Sequence, residues 1–183
     1  NTIFFAFKTA DNDGHKYIKE LYNKGIRFFI CQQIPDSNKF PNAVFLLVNN
    51  TLDALQQIAK YKRENFKKEV IAITGSNGKT IIKEWIVQLT QENKKICYSP
   101  RSYNSQIGVA LSLWQLNTNY DLGLFEAGIS KPNEMTRLQE MIQPTIGIFT
   151  NIGSAHQINF SSLEEKIEEK LKLFTSCHTL ICP

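Results

Sequence analysis

Val70-Ile71-Ala72-Ile73-Thr74-Gly75-Ser76-Asn77-Gly78-Lys79-Thr80 is the stretch from which the rest of the chain is read. Val70 to Ile73 is a short, β-branched apolar run, the composition of a strand buried on both faces. It passes into Gly75-Ser76-Asn77-Gly78, and Lys79-Thr80 then opens a helix with Ile81, Ile82, Trp85, Ile86 and Leu89 expected on its inner face. Strand, glycine-rich turn and helix start together predict a phosphate cradle. Glycines let backbone N–H groups turn toward an anion, and the helix N-terminus adds partial positive charge. Lys79 is then placed to reach terminal phosphates, and the Thr80 hydroxyl to hold Mg²⁺. The general phosphate-loop pattern has a glycine where this chain has Ile73. An ordinary turn between strand and helix is the alternative for Ser-Asn-Gly alone, but Lys-Thr at a helix start after a buried strand weighs against it.

Outward from this loop, strands and helices alternate. On the N-terminal side, strands are expected at 3–7, 26–30 and 44–48, with helices over 15–23 and 51–64, the second capped by Thr51. The polar, basic run 60–68 marks a domain boundary, giving a small α/β domain over 1–65 and a second domain over 66–183. On the C-terminal side, strands are expected at 95–98, 122–125, 145–149 and 179–181, with helices over 107–116, 133–142 and 162–174. Such a series predicts an α/β fold with a doubly wound, mostly parallel sheet, whose ligands gather beyond the carboxyl ends of the strands.

The bulk properties exclude several classes. With 183 residues, 42% of them hydrophobic, the chain can fill a core. The net charge of +4 comes with lysines spread along the chain, which does not point to nucleic acid. No apolar run reaches the length of a membrane span, so no membrane insertion is expected, and no signal-peptide layout is present. Cys31, Cys97, Cys177 and Cys182 have no metal-site spacing and read as bystander thiols in a reducing compartment, the cytoplasm. Asp11, Asp13, Gly14 and Glu20 resemble part of a calcium loop, but Thr9 stands at the first ligand position and a strand-like segment precedes it, so calcium is rejected. Both ends look cut, and a piece of a longer protein is expected.

The strand-end rule selects the remaining candidates. Glu126, ending the 122–125 strand, is placed to hold Mg²⁺ directly or through water, with a solvated loop glutamate as the alternative. The strand over 145–149 runs into Thr150-Asn151-Ile152-Gly153-Ser154-Ala155-His156, and His156 at that position is a candidate ligand. On the last long helix the apolar stripe is Leu163, Ile167, Leu171 and Phe174. Lys170 falls inside it whereas Lys166 and Lys172 project off it. Either its amine snorkels outward or it is aimed into the site.

These residues resemble the Mur ligase family of ATP-dependent amide-forming enzymes. The loop Thr74–Thr80, Glu126-Ala127-Gly128, the stretch from Thr150 to His156, and Lys170-Leu171-Lys172-Leu173-Phe174 stand in that family's order and at similar spacing. Ser102-Tyr103-Asn104-Ser105-Gln106-Ile107-Gly108-Val109 is most similar to members that join D-alanyl-D-alanine to UDP-N-acetylmuramoyl-tripeptide. The resemblance implies transfer of the ATP γ-phosphate to a peptide carboxylate and attack of an amine on the acyl phosphate. It implies nucleotide contacts from Gly75, Ser76, Asn77, Gly78, Lys79, Thr80 and Asn151, and a first Mg²⁺ on Thr80 and Glu126. A second Mg²⁺ is implied at His156 and Lys170, with Lys170 carbamoylated, and catalytic roles fall to Lys79, His156 and Lys170. Ser102, Asn104, Ser105 and Gln106 are implied to contact the UDP-linked substrate, and residues 1–65 to belong to a UDP-binding domain.

By the same resemblance the central domain is truncated and a C-terminal domain is missing. The 183 residues are therefore expected to bind nucleotide weakly or not at all and to carry out no ligation alone. Related ligases are sometimes fused to an alanine racemase. Folylpolyglutamate or cyanophycin-type ligases are the alternative within the superfamily. Outside it stand a plain phosphate-loop phosphotransferase or GTPase, which should end a strand in aspartate where this chain has Glu126, and an inactive nucleotide-binding module.

Overall fold

The computed structural model describes residues 2–153 and 159–183. The chain divides into two compact units, Asn1–Leu55 and Gln56–Pro183. The division falls within a helix, N-terminal to the 65/66 boundary read from the basic run.

In the first unit, β1 (Ile3–Phe5), β2 (Phe28–Cys31) and β3 (Val44–Leu47) form a parallel sheet in the order β1-β2-β3. A 3-10 turn (Gly14–Tyr17) leads into α1 (Ile18–Asn23) between the first two strands. Ala6, Ile18, Phe29, Cys31 and Phe40 make the core, and the Phe29 and Phe45 rings stack at 5.2 Å. Asp13 caps the 3-10 turn by accepting from the His15 N–H at 2.9 Å, a local use of the acidic cluster that resembled a calcium loop. The helix α2 (Thr51–Glu64) has the expected range but a different cap. Asn50 Oδ1 accepts from the Leu52 and Asp53 N–H groups, while Thr51 is the first helical residue and donates to the Ala6 carbonyl at 3.3 Å.

The second unit is built on five parallel strands in the order β5-β6-β4-β7-β8: β4 (Val70–Thr74), β5 (Ile96–Tyr98), β6 (Leu122–Glu126), β7 (Ile146–Phe149) and β8 (Thr179–Ile181). The connecting helices are α3 (Lys79–Thr90), α4 (Gln106–Trp114), α5 (Glu134–Ile142) and α6 (Leu163–Leu171). Strand alternation distributes them over both faces. Ile82, Ile86 and Val87 of α3 pack with Ile73, Leu122 and Leu124 on one face. On the other, Phe174 lies against Gly147 and meets the Phe149 ring, and Cys97 Sγ reaches the Ser112 carbonyl of α4. The sheet is doubly wound, as the alternation predicts.

Two expected helix faces are corrected. Ile81, Trp85 and Leu89 of α3 are 57, 61 and 80% exposed, and the buried residues are Lys83 and Val87. Two apolar arcs overlap on this helix, and the one carrying Thr80, Lys83 and Val87 faces the sheet because Thr80 is held against the end of β6. On α6, Leu163 and Leu171 are exposed while Lys166, Glu169 and Lys170 are buried, because these polar groups find partners inside. Glu169 accepts from the Met135 N–H at the start of α5 (3.1 Å) and from Lys172 (2.6 Å). Lys166, expected to project outward, donates to the Gly153 carbonyl at 2.5 Å.

Candidate active site

Strand register brings the candidate residues together. Ile73 of β4 pairs with Glu126 of β6, and Thr74 with Phe149 of β7, so the loop after β4 emerges between the ends of two neighbours. That is the crevice where a doubly wound sheet takes its ligands. Thr74 fastens the end of β4 by donating from Oγ1 to the Ala127 carbonyl at 2.8 Å.

The loop is held from the β7 side. Ser76 N–H donates to the Asn151 carbonyl (2.9 Å), Asn77 N–H to Asn151 Oδ1 (3.0 Å), and Gly153 N–H to Ser76 Oγ (2.9 Å). Thr150 Oγ1 donates to the Asn77 carbonyl at 2.5 Å. Gly75 has φ +147°, and a Cβ there would stand 2.0 Å from Thr150 Oγ1, so backbone and packing both require glycine. Gly78, at φ +80°, precedes α3 and offers no side-chain cap, which leaves first-turn N–H groups for an anion.

Three lysines converge on this loop. Lys79 Nζ donates to the carbonyls of Gly75 (2.9 Å) and Ser76 (3.3 Å). Lys170 Nζ donates to the same Gly75 carbonyl at 3.3 Å, and Lys166 reaches Gly153 close by. Burial pushes the Lys79 ammonium below its ordinary value, with Glu126 opposing the change. Lys170 is pushed down to about 8, first by burial and then by the charges of Lys79 and Lys166. At 3% exposure it is aimed inward rather than snorkelling.

The opposite wall is oxygen-rich. Glu126 is fully buried, not a solvated loop residue. Its Oε2 accepts from Thr80 Oγ1 at 3.1 Å, and Thr80 Oγ1 lies 3.2 Å from Ser102 Oγ. Glu126 Oε1 lies 3.1 Å from the Lys83 ammonium, an ion pair without hydrogen-bond geometry. A buried carboxylate with lone pairs to spare beside two hydroxyls is a donor set suited to Mg²⁺, which takes hard oxygens and one or two carboxylates. A cavity of about 280 Å³ is lined by Ser76 to Ile81 and by Asn104.

Of the expected substrate contacts, Ser102 and Asn104 reach this cavity region. Ser105 instead caps α4, accepting from the Gly108 N–H at 3.2 Å. Gln106 donates to the Glu134 carbonyl (2.8 Å) and accepts from Gln56 (2.9 Å), a structural bridge. His156 lies outside the described residues. Sequence reasoning missed Lys83, Lys166 and Ser99, all drawn into the site. For Lys83 a signal was present: it stands one turn after Thr80, whose role already requires an inward face.

The Mur ligase middle domain model matches residues 73–182. The UDP-N-acetylmuramoyl-tripeptide–D-alanyl-D-alanine ligase of Rickettsia prowazekii is 36% identical over 175 residues, 94% of this chain and 38% of the relative. The ligase of the same name from Borreliella burgdorferi is 34% identical over 179 residues, 94% of this chain and 39% of the relative. Among solved structures, MurF from Acinetobacter baumannii superposes with a TM-score of 0.90 at 26% identity, covering 99% of this chain and 40% of that one. The Thermotoga maritima MurF ligase in complex with ADP gives 0.83 at 27% identity, covering 96% and 40%. The chain thus spans about two fifths of the length of the relatives it matches.

Proposed function

Because this chain belongs to the Mur ligase family, we propose that it is the nucleotide-handling part of an ATP-dependent ligase of peptidoglycan precursor synthesis. The ligase adds D-alanyl-D-alanine to UDP-N-acetylmuramoyl-tripeptide in the cytoplasm. The observation that carries this reading is the meeting of Lys79, Thr80, Glu126 and Lys170 around the Gly75–Gly78 loop. The ADP complex of the Thermotoga maritima relative supports a nucleotide there. Among the described residues no helix is long and apolar enough to cross a membrane.

In the proposed reaction the tripeptide carboxylate attacks the γ-phosphorus of ATP, the bond to the β-phosphate oxygen breaks, and ADP departs. The amine of D-alanyl-D-alanine then attacks the acyl carbon and phosphate leaves. Lys79 and the uncapped N–H groups of α3 neutralise charge on the phosphates, the largest contribution a preorganised site makes to such a transfer. Thr80 and Glu126 would hold one Mg²⁺, with Ser102 beside them. When bound, Mg²⁺ supplies Lewis-acid neutralisation of the phosphate oxygens. Lys170, pushed down to about 8, has a neutral amine available at moderate pH. Addition of its nitrogen to the carbon of CO₂, with loss of a proton, would give a carbamate whose oxygens would serve a second Mg²⁺; His156 is the further ligand proposed from the sequence. Asn151 fixes the loop through its Oδ1 beside the nucleotide, and Ser102 and Asn104 face the acyl substrate. Residues 1–65 form part of the UDP-binding domain.

The test is a chimera in which this chain replaces the matching segment of the Rickettsia prowazekii ligase. Phosphate release that requires both UDP-N-acetylmuramoyl-tripeptide and D-alanyl-D-alanine, and is lost in Lys79→Ala, is the expected result. Release triggered by a folate and glutamate instead would transfer the chain to the alternative ligase class.

A further inference from the structure

Lys83 lies on α3 one turn beyond Thr80 and is wholly buried. Its ammonium donates to the Ser99 carbonyl at 2.7 Å and to the Arg101 carbonyl, and sits 3.1 Å from Glu126 Oε1 and 3.0 Å from Glu84 Oε1. A lysine in this position costs more than an apolar side chain of like volume, because its charge is taken out of water. Apart from Glu84, its neighbour on α3, its partners belong to two structures that reach the candidate metal site.

The first is Glu126. With Oε1 against Lys83, the carboxylate is turned so that Oε2 faces the Thr80 hydroxyl. The second is the turn after β5. Ser99 closes the circuit, since its carbonyl accepts from Lys83 while its hydroxyl accepts from the Glu126 N–H at 3.1 Å. Arg101, at φ +50°, is held in a left-handed conformation that a non-glycine residue adopts only when its surroundings impose it. The next residue, Ser102, then meets Thr80, and Asn104 follows into the cavity, its carbonyl accepting from the Gly128 N–H at 2.8 Å.

We infer that Lys83 is a positioning residue that ties Glu126 and the Ser99–Asn104 turn together, so that Thr80, Ser102 and Glu126 present their oxygens to one divalent cation. This deepens the nucleotide–Mg²⁺ reading above and rests on it. Lys83 touches neither nucleotide nor metal; it sets the geometry of the groups that do.

The experiment titrates the ligase chimera carrying this chain with ADP, with and without Mg²⁺, as wild type, Lys83→Met and Lys83→Arg. Mg²⁺ should tighten ADP binding in wild type. In Lys83→Met that enhancement should shrink ~10- to 100-fold, the usual cost of removing a group that orients a metal ligand. Metal-free ADP binding should stay within about twofold, since the Gly75–Lys79 cradle is separate. Lys83→Arg keeps the charge but not the shape and should fall between the two. It also carries the test if Lys83→Met unfolds. An unchanged Mg²⁺ enhancement overturns the inference, as does an equal loss of binding with and without metal. Failure of both variants to fold assigns Lys83 to the core and overturns it as well. A wild-type chain whose ADP binding ignores Mg²⁺ removes the nucleotide–metal reading itself.

Discussion

Replacing Lys170 by methionine should make the protein more stable at neutral pH. The amine is pushed down from 10.5 to about 8, chiefly by burial and then by Lys79 and Lys166. A depressed value means that Lys170's favourable contribution is complete above 10.5 and is lost as pH falls through about 8. At pH 7 the folded chain therefore holds an ammonium it would rather shed. The gap corresponds to ~3 kcal/mol at 1.36 kcal/mol per pH unit. Methionine keeps most of the stem's packing and forfeits one long bond to the Gly75 carbonyl, which still accepts from Lys79 at 2.9 Å. Losing that bond costs ~1 kcal/mol, leaving a net gain of ~2 kcal/mol. Urea unfolding of both proteins at several pH values is the assay, read as the difference between them, so that other titrating groups cancel. The advantage of Lys170→Met should be largest below pH 8 and fade toward pH 10.5. A variant less stable than wild type at pH 7, or a difference flat across that window, would refute the reasoning.

Arg63→Ala should destabilise the chain by ~3 kcal/mol in urea unfolding, because a buried guanidinium is lost from the carbonyls of Ile142, Gln143 and Phe66. A loss below ~1 kcal/mol would show those carbonyls finding other donors. Gly75→Ala should abolish ADP binding while the fold survives, since its Cβ would collide with Thr150 Oγ1 and its φ is strained for any L side chain; retained binding in a titration followed by amide shifts would contradict this. In ¹³CO₂-equilibrated buffer, a carbamate ¹³C resonance should appear in wild type and vanish in Lys170→Met, growing as pH rises through about 8 where the amine becomes neutral. An identical resonance in both proteins would assign it elsewhere.

The fold was legible because its elements announce themselves locally. The β-branched run of β4, the glycines of its loop and the alternation of strands with helices needed no tertiary information, and the 51–64 helix was read to its ends. Helix faces were not legible to the same degree. On α3 the arc Ile81, Trp85, Leu89 is as apolar as the arc Ile82, Ile86, Val87, and hydropathy alone does not choose between them. The choice is made by a polar contact, Thr80 on Glu126, which rotates Lys83 inward. On α6 the inward Lys166 and Lys170 are stabilised by carbonyls of Gly153 and Gly75, partners on distant loops that no periodicity reveals. Lys170 was therefore found for a reason the structure replaces: it faces inward beside other buried polar groups, not within an apolar stripe. Ser105 and Gln106 show the converse limit, where the side chain of a motif neighbour caps α4 or bridges α2 and α5.

The most direct test of the phosphate site is an amide-shift titration of the ¹⁵N-labelled chain with Mg²⁺ and ADP at millimolar concentrations. Weak, saturable shifts centred on Gly75 to Thr80 and extending to Ser102, Asn104 and Glu126 are expected. Saturable shifts centred on other surfaces would contradict the account.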